Sequence, residues 1–227
     1  MESAINNLSA ELAAYYELPV GKRNYNTLSA NARVELEREF EREDEKRRAD
    51  EKLRWFKQAT QDLPDSLFNH FDLTQHPNPN AHEKVMAWQS GKKGLMLVGQ
   101  TGTGKSRSLL QLIRRLTMEM DQNITYWSAP RLSGRISALA FESSHDLNRL
   151  ITALEASPIL AIDDLGAHKP TERVASEFHR IIDTRYARGL PLLVTTNCLP
   201  PEMQQKLLDE HGRTIRRLQD MTQVINF

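Results

Sequence analysis

The chain has 227 residues, 30 Lys+Arg balanced by 30 Asp+Glu, and 39% apolar residues, which fits one medium domain with an appendage. Zero net charge argues against a basic coat for nucleic acid and leaves only a local patch open. The single cysteine, Cys198, excludes a disulfide framework and any zinc site built on two thiolates. No apolar run approaches the roughly 20 residues that span a bilayer, and Met1-Glu2-Ser3 does not open a secretion signal, so a soluble cytoplasmic protein with no membrane partner is expected.

In chain order, residues 4–18 place Leu8, Leu12 and Tyr15/Tyr16 at helical spacing, and Pro19 and Gly21 end that helix. Arg33–Lys57 holds nine acidic and nine basic residues in 25. Opposite charges four apart, as in Glu43/Arg47, Asp44/Arg48 and Asp50/Arg54, support a helix by about 0.2–0.5 kcal/mol each. Between Phe40 and Leu53 the only apolar residue is Ala49, so no coiled-coil seam exists. Two readings stay open: a solvated linking helix, or a surface that docks a partner protein through Leu53, Trp55 and Phe56. Residues 61–93, with Pro64, Pro77 and Pro79, read as an irregular lead-in with a short helix near Ala81–Trp88.

The pattern then turns regular. Gly94–Val98 is an apolar strand ending in a glycine loop, followed by a helix with Leu109, Leu112, Ile113, Leu116 and Met120 on one face. Strands are expected at Ile124–Trp127, Ile159–Ile162, Leu192–Thr195 and Gln223–Phe227. Between them lie a helix marked by Leu147, Leu150, Ile151 and Leu154 and a helix over Thr171–Arg188, with Thr171 as N-cap and Gly189 beyond its end. Two short helices precede the last strand. Strands alternating with helices imply an α/β fold, a parallel sheet between helix layers.

Five of the ten glycines fall between positions 91 and 104. Gly99-Gln100-Thr101-Gly102-Thr103-Gly104-Lys105-Ser106 matches GxxxxGK[ST] in full and stands between a strand and a helix, the context this phosphate loop requires. Its backbone N–H groups and the helix N-terminus favour phosphate. Lys105 is expected on the β- and γ-phosphates, and Ser106 on Mg²⁺. Asp163 and Asp164 end an apolar strand 58 residues after Lys105. Asp163 would hold Mg²⁺ through water and Asp164 would orient the attacking water; an acid pair capping a turn is the alternative. Asn197, at the tip of Leu192–Thr196, would bond the γ-phosphate or its attacking water, or else is a turn residue.

Taken together, Gly99–Ser106, Ile159–Gly166, Arg185-Tyr186 with Gly189, Thr195–Asn197 and Gly212–Leu218 resemble the AAA+ ATPases of the DnaC/DnaI helicase-loader and IstB transposition-helper group, DnaC-type loaders above all. The resemblance covers roughly residues 90–227. It implies a three-layer P-loop NTPase (AAA+/ASCE) domain over 61–227 with a five-stranded parallel sheet in the order 5-1-4-3-2. Residues 1–60 would then form a helical N-terminal partner-binding region and charged linker helix. It also implies ATP and Mg²⁺ as cofactors, Asn197 as a sensor, and a trans-acting arginine finger at Arg217, with Arg213 one turn earlier as second candidate. A solvated basic helix end is the alternative reading of those arginines. If the finger is real, self-association completes the site. Ten residues follow Arg217, so no C-terminal lid domain is expected, as in loaders. Asp164 stands where many AAA+ proteins have Glu, which implies slow turnover. A zinc module of the DnaI kind does not fit one cysteine, and a C-terminal extension of the IstB kind is not expected.

Within Ser128–Ser157 the resemblance implies an extra helix lining a DNA channel. Arg131 and Arg135, one turn apart there, are candidate contacts to single-stranded DNA, or simply a solvated face. Tyr126 and Trp127 are candidates for base stacking or for core. The function expected is an ATP-hydrolysing helicase loader in DNA replication, slow and dependent on assembly and DNA. Its partners would be a DnaB-type replicative hexameric helicase and single-stranded DNA. The alternatives are an IstB-type transposition helper and a non-catalytic ATP-switched interaction protein.

Overall fold

A computed structural model describes residues 2–59, 76–91, 93–169 and 171–227. The chain divides into two units, Met1–Trp55 and Phe56–Phe227.

The first unit is a helical hairpin. Helix α1 (Glu2–Glu17) turns through two short 3₁₀ segments, Val20–Lys22 and Tyr25–Thr27, into α2 (Ala30–Ala59). Its core is small: Leu12, Leu28, Ala32 and Leu36, flanked by Leu8 and Tyr15. Polar bonds compensate. Glu11 accepts from both the backbone N–H and the hydroxyl of Ser29 at 2.7 Å. Arg23 donates to the carbonyls of Leu18 (2.9 Å) and Tyr16 (2.7 Å), and Arg33 to those of Leu28 (2.9 Å) and Asn26 (2.7 Å). Burial and the Glu39 carboxylate push the Tyr16 phenol up to about 12. The charge pairing of α2 is partly as spaced: Asp44 pairs with Arg48 at 2.8 Å, while Arg47 also turns to Asp44, three residues back. Leu53 is exposed; the side chains of Trp55 and Phe56 lie outside the described residues.

In the second unit, Pro64 and the rest of 60–75 lie outside the described residues. Helix α3 (Pro79–Met86) starts two residues earlier than Ala81, because Asn78 caps it by accepting from the Ala81 N–H, and Pro79 fits the first turn. There follow β1 (Gly94–Val98), α4 (Lys105–Met118), β2 (Ile124–Ser128), α5 (Ala129–Glu142), α6 (Ser144–Ala156) and β3 (Ile159–Asp163). Then come α7 (Glu172–Arg188), β4 (Leu192–Thr196), α8 (Pro200–Lys206), α9 (Arg213–Met221) and β5 (Thr222–Asn226). Met120 lies past the end of α4 and is exposed, outside the helix face its spacing suggested. Helix α5 buries Ala129, Leu132, Ile136 and Leu139 along one face, a helical spacing that sequence reasoning left to the resemblance.

All strand pairs are parallel, in the order β2-β3-β4-β1-β5. Alternating residues feed two cores. Leu95, Leu97, Ile159, Ala161 and Leu193 pack with α3 and α4 on one face. Met96, Leu160, Ile162, Leu192 and Val194 pack with α5, α6, α7 and α9 on the other. This is the three-layer α/β domain, and the order sets β4 between the strands that carry the glycine loop and the acids. Helix α7 is capped as its sequence requires, with Thr171 accepting from the Val174 N–H and Gly189 left-handed at φ 63°. Its Arg185 is fully buried and donates to the carbonyls of Leu154 (2.9 Å), Ser157 (2.7 Å) and Pro191 (2.6 Å). One guanidinium thereby holds the end of α6 and the entries to β3 and β4.

Candidate nucleotide site

The glycine loop leaves β1 at Gly99, whose N–H donates to the Thr196 carbonyl at 3.2 Å, and enters α4 through Gly104 in the left-handed region (φ 93°). A loop of this shape points successive N–H groups at one point, and the helix end adds about half a positive charge there. Lys105 is buried, its ammonium donating to the Gln100 carbonyl of the same loop at 2.7 Å. Burial lowers its pKa, against the pull of Asp164 and Asp163.

Ser106, on the first turn of α4, donates to Asp163 Oδ1 at 2.9 Å, across 57 residues of sequence. The two residues that sequence assigns to the metal are thus side by side. A hydroxyl and a carboxylate are the hard oxygen donors that Mg²⁺ takes, with phosphate and water oxygens completing its shell. Asp163 is buried, which raises its pKa, opposed by its hydroxyl donors. Those donors include two residues that sequence reasoning passed over. Thr195 donates to Asp163 Oδ1 and accepts from the Asp164 N–H at 2.9 Å, so one hydroxyl ties both acids to β4. Tyr126 donates to Oδ2 at 3.3 Å from the neighbouring β2. It is buried, which removes it from base stacking. A threonine pair ending a strand beside two acids was a usable signal; for Tyr126 there was none, since β2–β3 pairing is not local.

Asp164 is half-buried in the left-handed region at φ 56°, which Asp tolerates better than most residues. It lines a cleft of about 310 Å³ with Thr101, Gly102, Lys105, Ser106 and Asn197. Asn197 donates to the Thr101 hydroxyl of the glycine loop at 3.3 Å, where β4 brings it alongside. Pro77, from the lead-in, forms part of the same wall.

Arg217 and Arg213 stand apart from this cleft. The Arg217 guanidinium pairs with Asp183 of α7 and lies 5.6 Å from the Tyr186 ring centroid. Arg213 Nη2 is 3.6 Å from the other Asp183 oxygen. Arg131 and Arg135 are exposed on α5: Arg131 sits 6.0 Å from the Trp127 ring centroid, and Arg135 is 4.0 Å from Glu142. Among the described residues no group of three or more His, Cys, Asp or Glu is placed to hold a metal ion, and no helix is long and apolar enough to cross a membrane.

A family model described as "AAA domain (dynein-related subfamily)" matches residues 94–216. The structure is similar to that of the DnaC helicase loader, at 18% identity and TM-score 0.54, covering 70% of this chain and 93% of that one. It is also similar to a putative primosome component from Streptococcus pyogenes serotype M3, at 22% identity and TM-score 0.56, covering 73% and 89%. A third similar structure is the replication initiator DnaA bound to AMPPCP and single-stranded DNA, at 17% identity and TM-score 0.53. There 66% of this chain matches 44% of DnaA, so the chain spans under half of that protein. No curated protein matches the chain by sequence. The family match runs from β1 into α9, more than half of the chain, and takes in the glycine loop, both acids and Asn197: the chain belongs to the AAA domain family.

Proposed function

We propose that the protein is an ATP-binding and ATP-hydrolysing helicase-loader-like protein of DNA replication. The observation that carries this is the meeting of Gly99–Ser106 with Asp163 and Asn197 at one end of the sheet, Ser106 bonded to Asp163 and Asn197 to Thr101. In this reading the loop N–H groups and Lys105 bind the triphosphate. Ser106 and Asp163 would hold Mg²⁺, which would supply positive charge against the phosphates. Asp164 takes the proton-side hydrogen bond of the attacking water, and Asn197 fixes that water or the γ-phosphate. Arg217, with Arg213 as the second candidate, reaches the site of a neighbouring subunit. A guanidinium delivered in trans is worth up to about 10³–10⁵ in rate, so turnover depends on assembly. The first unit docks the partner: Leu18, Val20, Val34 and Phe40 are exposed apolar residues there, Val20 at 79%. Likeness to a helicase loader and to an initiator bound to single-stranded DNA supports a replicative hexameric helicase and single-stranded DNA as partners, with Arg131 and Arg135 as DNA contacts.

One observation favours a second reading. Arg217 is engaged by Asp183 and Tyr186 of its own chain, the state expected of an ATP-switched interaction protein that turns over little. The deciding experiment is the solution mass of the full chain mixed with the replicative helicase of its own source, with and without an ATP analogue. A stoichiometric complex that needs residues 1–60 supports the loader reading. Absence of a complex under both conditions overturns it.

A further inference from the structure

Behind the glycine loop lies a buried cluster that the phosphate chemistry does not use. His76 and His82 are 4% and 5% exposed, and their rings lie 4.8 Å apart. Between them sits Ser108 of α4, fully buried, with its Oγ 2.9 Å from His82 Nδ1 and 3.2 Å from His76 Nε2. His76 Nδ1 accepts from the Asn78 N–H at 3.0 Å. That bond assigns the His76 proton to Nε2, which then donates to Ser108, whose own proton points to His82. A proton on His76 Nδ1 would face the Asn78 N–H, and a proton on His82 Nδ1 would reverse its bond to Ser108, so this direction of bonding belongs to the neutral rings.

The His76 ring is also the floor of the loop. A Cβ on residue 104 would stand 2.6 Å from its Cε1 and 2.7 Å from its Nε2, so only glycine fits over it. Gly104 caps α4, and its neighbours Lys105 and Ser106 carry the phosphate and metal functions. On the other side, the residue after His76 is Pro77, which walls the triphosphate cleft. His76 therefore touches both the glycine that shapes the loop and the segment that borders the cleft.

We propose that His76 is a positioning residue for the phosphate loop, wedged under Gly104 and pinned to Ser108, so that triphosphate binding and docking of the 76–78 segment are coupled. The inference rests on the reading of Gly99–Ser106 as a triphosphate site. By linkage, whatever factor His76 docking adds to triphosphate affinity, the triphosphate adds to docking of the segment. Burial of both rings keeps their pKa values low, to about 4 for His82, and so keeps the bridge intact at neutral pH.

The test uses the full chain with Mg²⁺ and a fluorescent ATP analogue, measuring affinity and backbone hydrogen exchange over residues 76–86. In the wild type, the nucleotide should slow exchange at Asn78, whose N–H is bonded to His76. His76→Ala should weaken the analogue by about tenfold and abolish that nucleotide-dependent slowing. His76→Gln, which can still donate to Ser108, should recover part of both. Ser108→Ala, a small change inside α4, should give an intermediate loss and serves if His76→Ala fails to fold. If the wild type does not bind the analogue, the triphosphate reading itself fails. If the wild type binds but exchange at 76–86 ignores the nucleotide, or His76→Ala and Ser108→Ala bind as tightly as wild type, the coupling is refuted and the triphosphate reading survives.

Discussion

Arg185→Met offers a demanding test of how the strand ends that carry the site are held. Arg185 is fully buried, and burial pulls its guanidinium down to about 10, still charged at neutral pH. Its guanidinium donates to backbone carbonyls, those of Leu154, Ser157 and Pro191. Methionine fills comparable space and leaves three buried carbonyls without that donor. Hydrogen bonds from a charged donor are worth about 1.5–3 kcal/mol each, and three lost together do not add fully. A buried carbonyl left without its donor costs about 1–3 kcal/mol, so three of them, not fully additive, amount to a loss of about 3–5 kcal/mol, a large share of the roughly 5–15 kcal/mol that stabilises a domain. For a unit of this size that is a fall in Tm of about 10–15 °C. Urea unfolding of the full chain, followed by tryptophan fluorescence, gives the free energy directly. Arg185→Lys should recover little, since a single ammonium cannot match the planar fork that spans three carbonyls. A loss under about 1 kcal/mol for Arg185→Met would refute the argument that this guanidinium joins α6, β3 and β4.

Three further outcomes are expected. Asp164→Asn keeps the left-handed conformation that position requires, so nucleotide affinity should stay within about twofold while turnover falls by about 10² or more, measured as phosphate release with saturating partner and DNA. Arg217→Ala should leave ATP binding intact and abolish the concentration-dependent part of turnover; Asp183→Asn, which removes the ion pair of Arg217, should instead shift the rise of turnover to lower protein concentration. His76 and His82 both have folded pKa values below the ordinary 6.5, so their contribution to stability is complete above that value and is lost as pH falls toward about 4. Urea midpoints between pH 8 and 4.5 should therefore fall on the acid side, and His82→Gln should flatten that fall.

Much of the site was legible locally. The Gly99–Ser106 loop announces itself because phosphate binding demands glycine, lysine and serine at fixed offsets between a strand and a helix. The acid pair is legible because charged residues end an otherwise apolar strand. Caps such as Thr171 and Gly189 are read from neighbouring residues alone. The apolar pattern starts α3 late, at Ala81, whereas the Asn78 cap and Pro79 stand ahead of the first apolar residue. It also carried Met120 into a helix that stops at Met118, since one apolar residue in phase does not keep a chain helical past Asp121, left-handed at φ 53°.

Other features needed the tertiary structure, for one physical reason: they depend on contacts between segments far apart in the chain. Strand order decided that Asn197 meets Thr101, 96 residues away, and that Tyr126 reaches the Asp163 carboxylate from β2. Nothing within ten residues of Tyr126 distinguishes it from an ordinary core tyrosine. Packing of the lead-in put His76 under Gly104, and packing of α9 on α7 turned Arg217 toward Asp183. The sequence by itself determined that a glycine loop would join a strand to a helix and that two acids would end a strand, because those rest on backbone conformation and hydrophobic period. Only the fold decided which hydroxyls hold the acids, which ring supports the loop and which arginines are already engaged, because such bonds form only where buried groups from separate elements must satisfy one another.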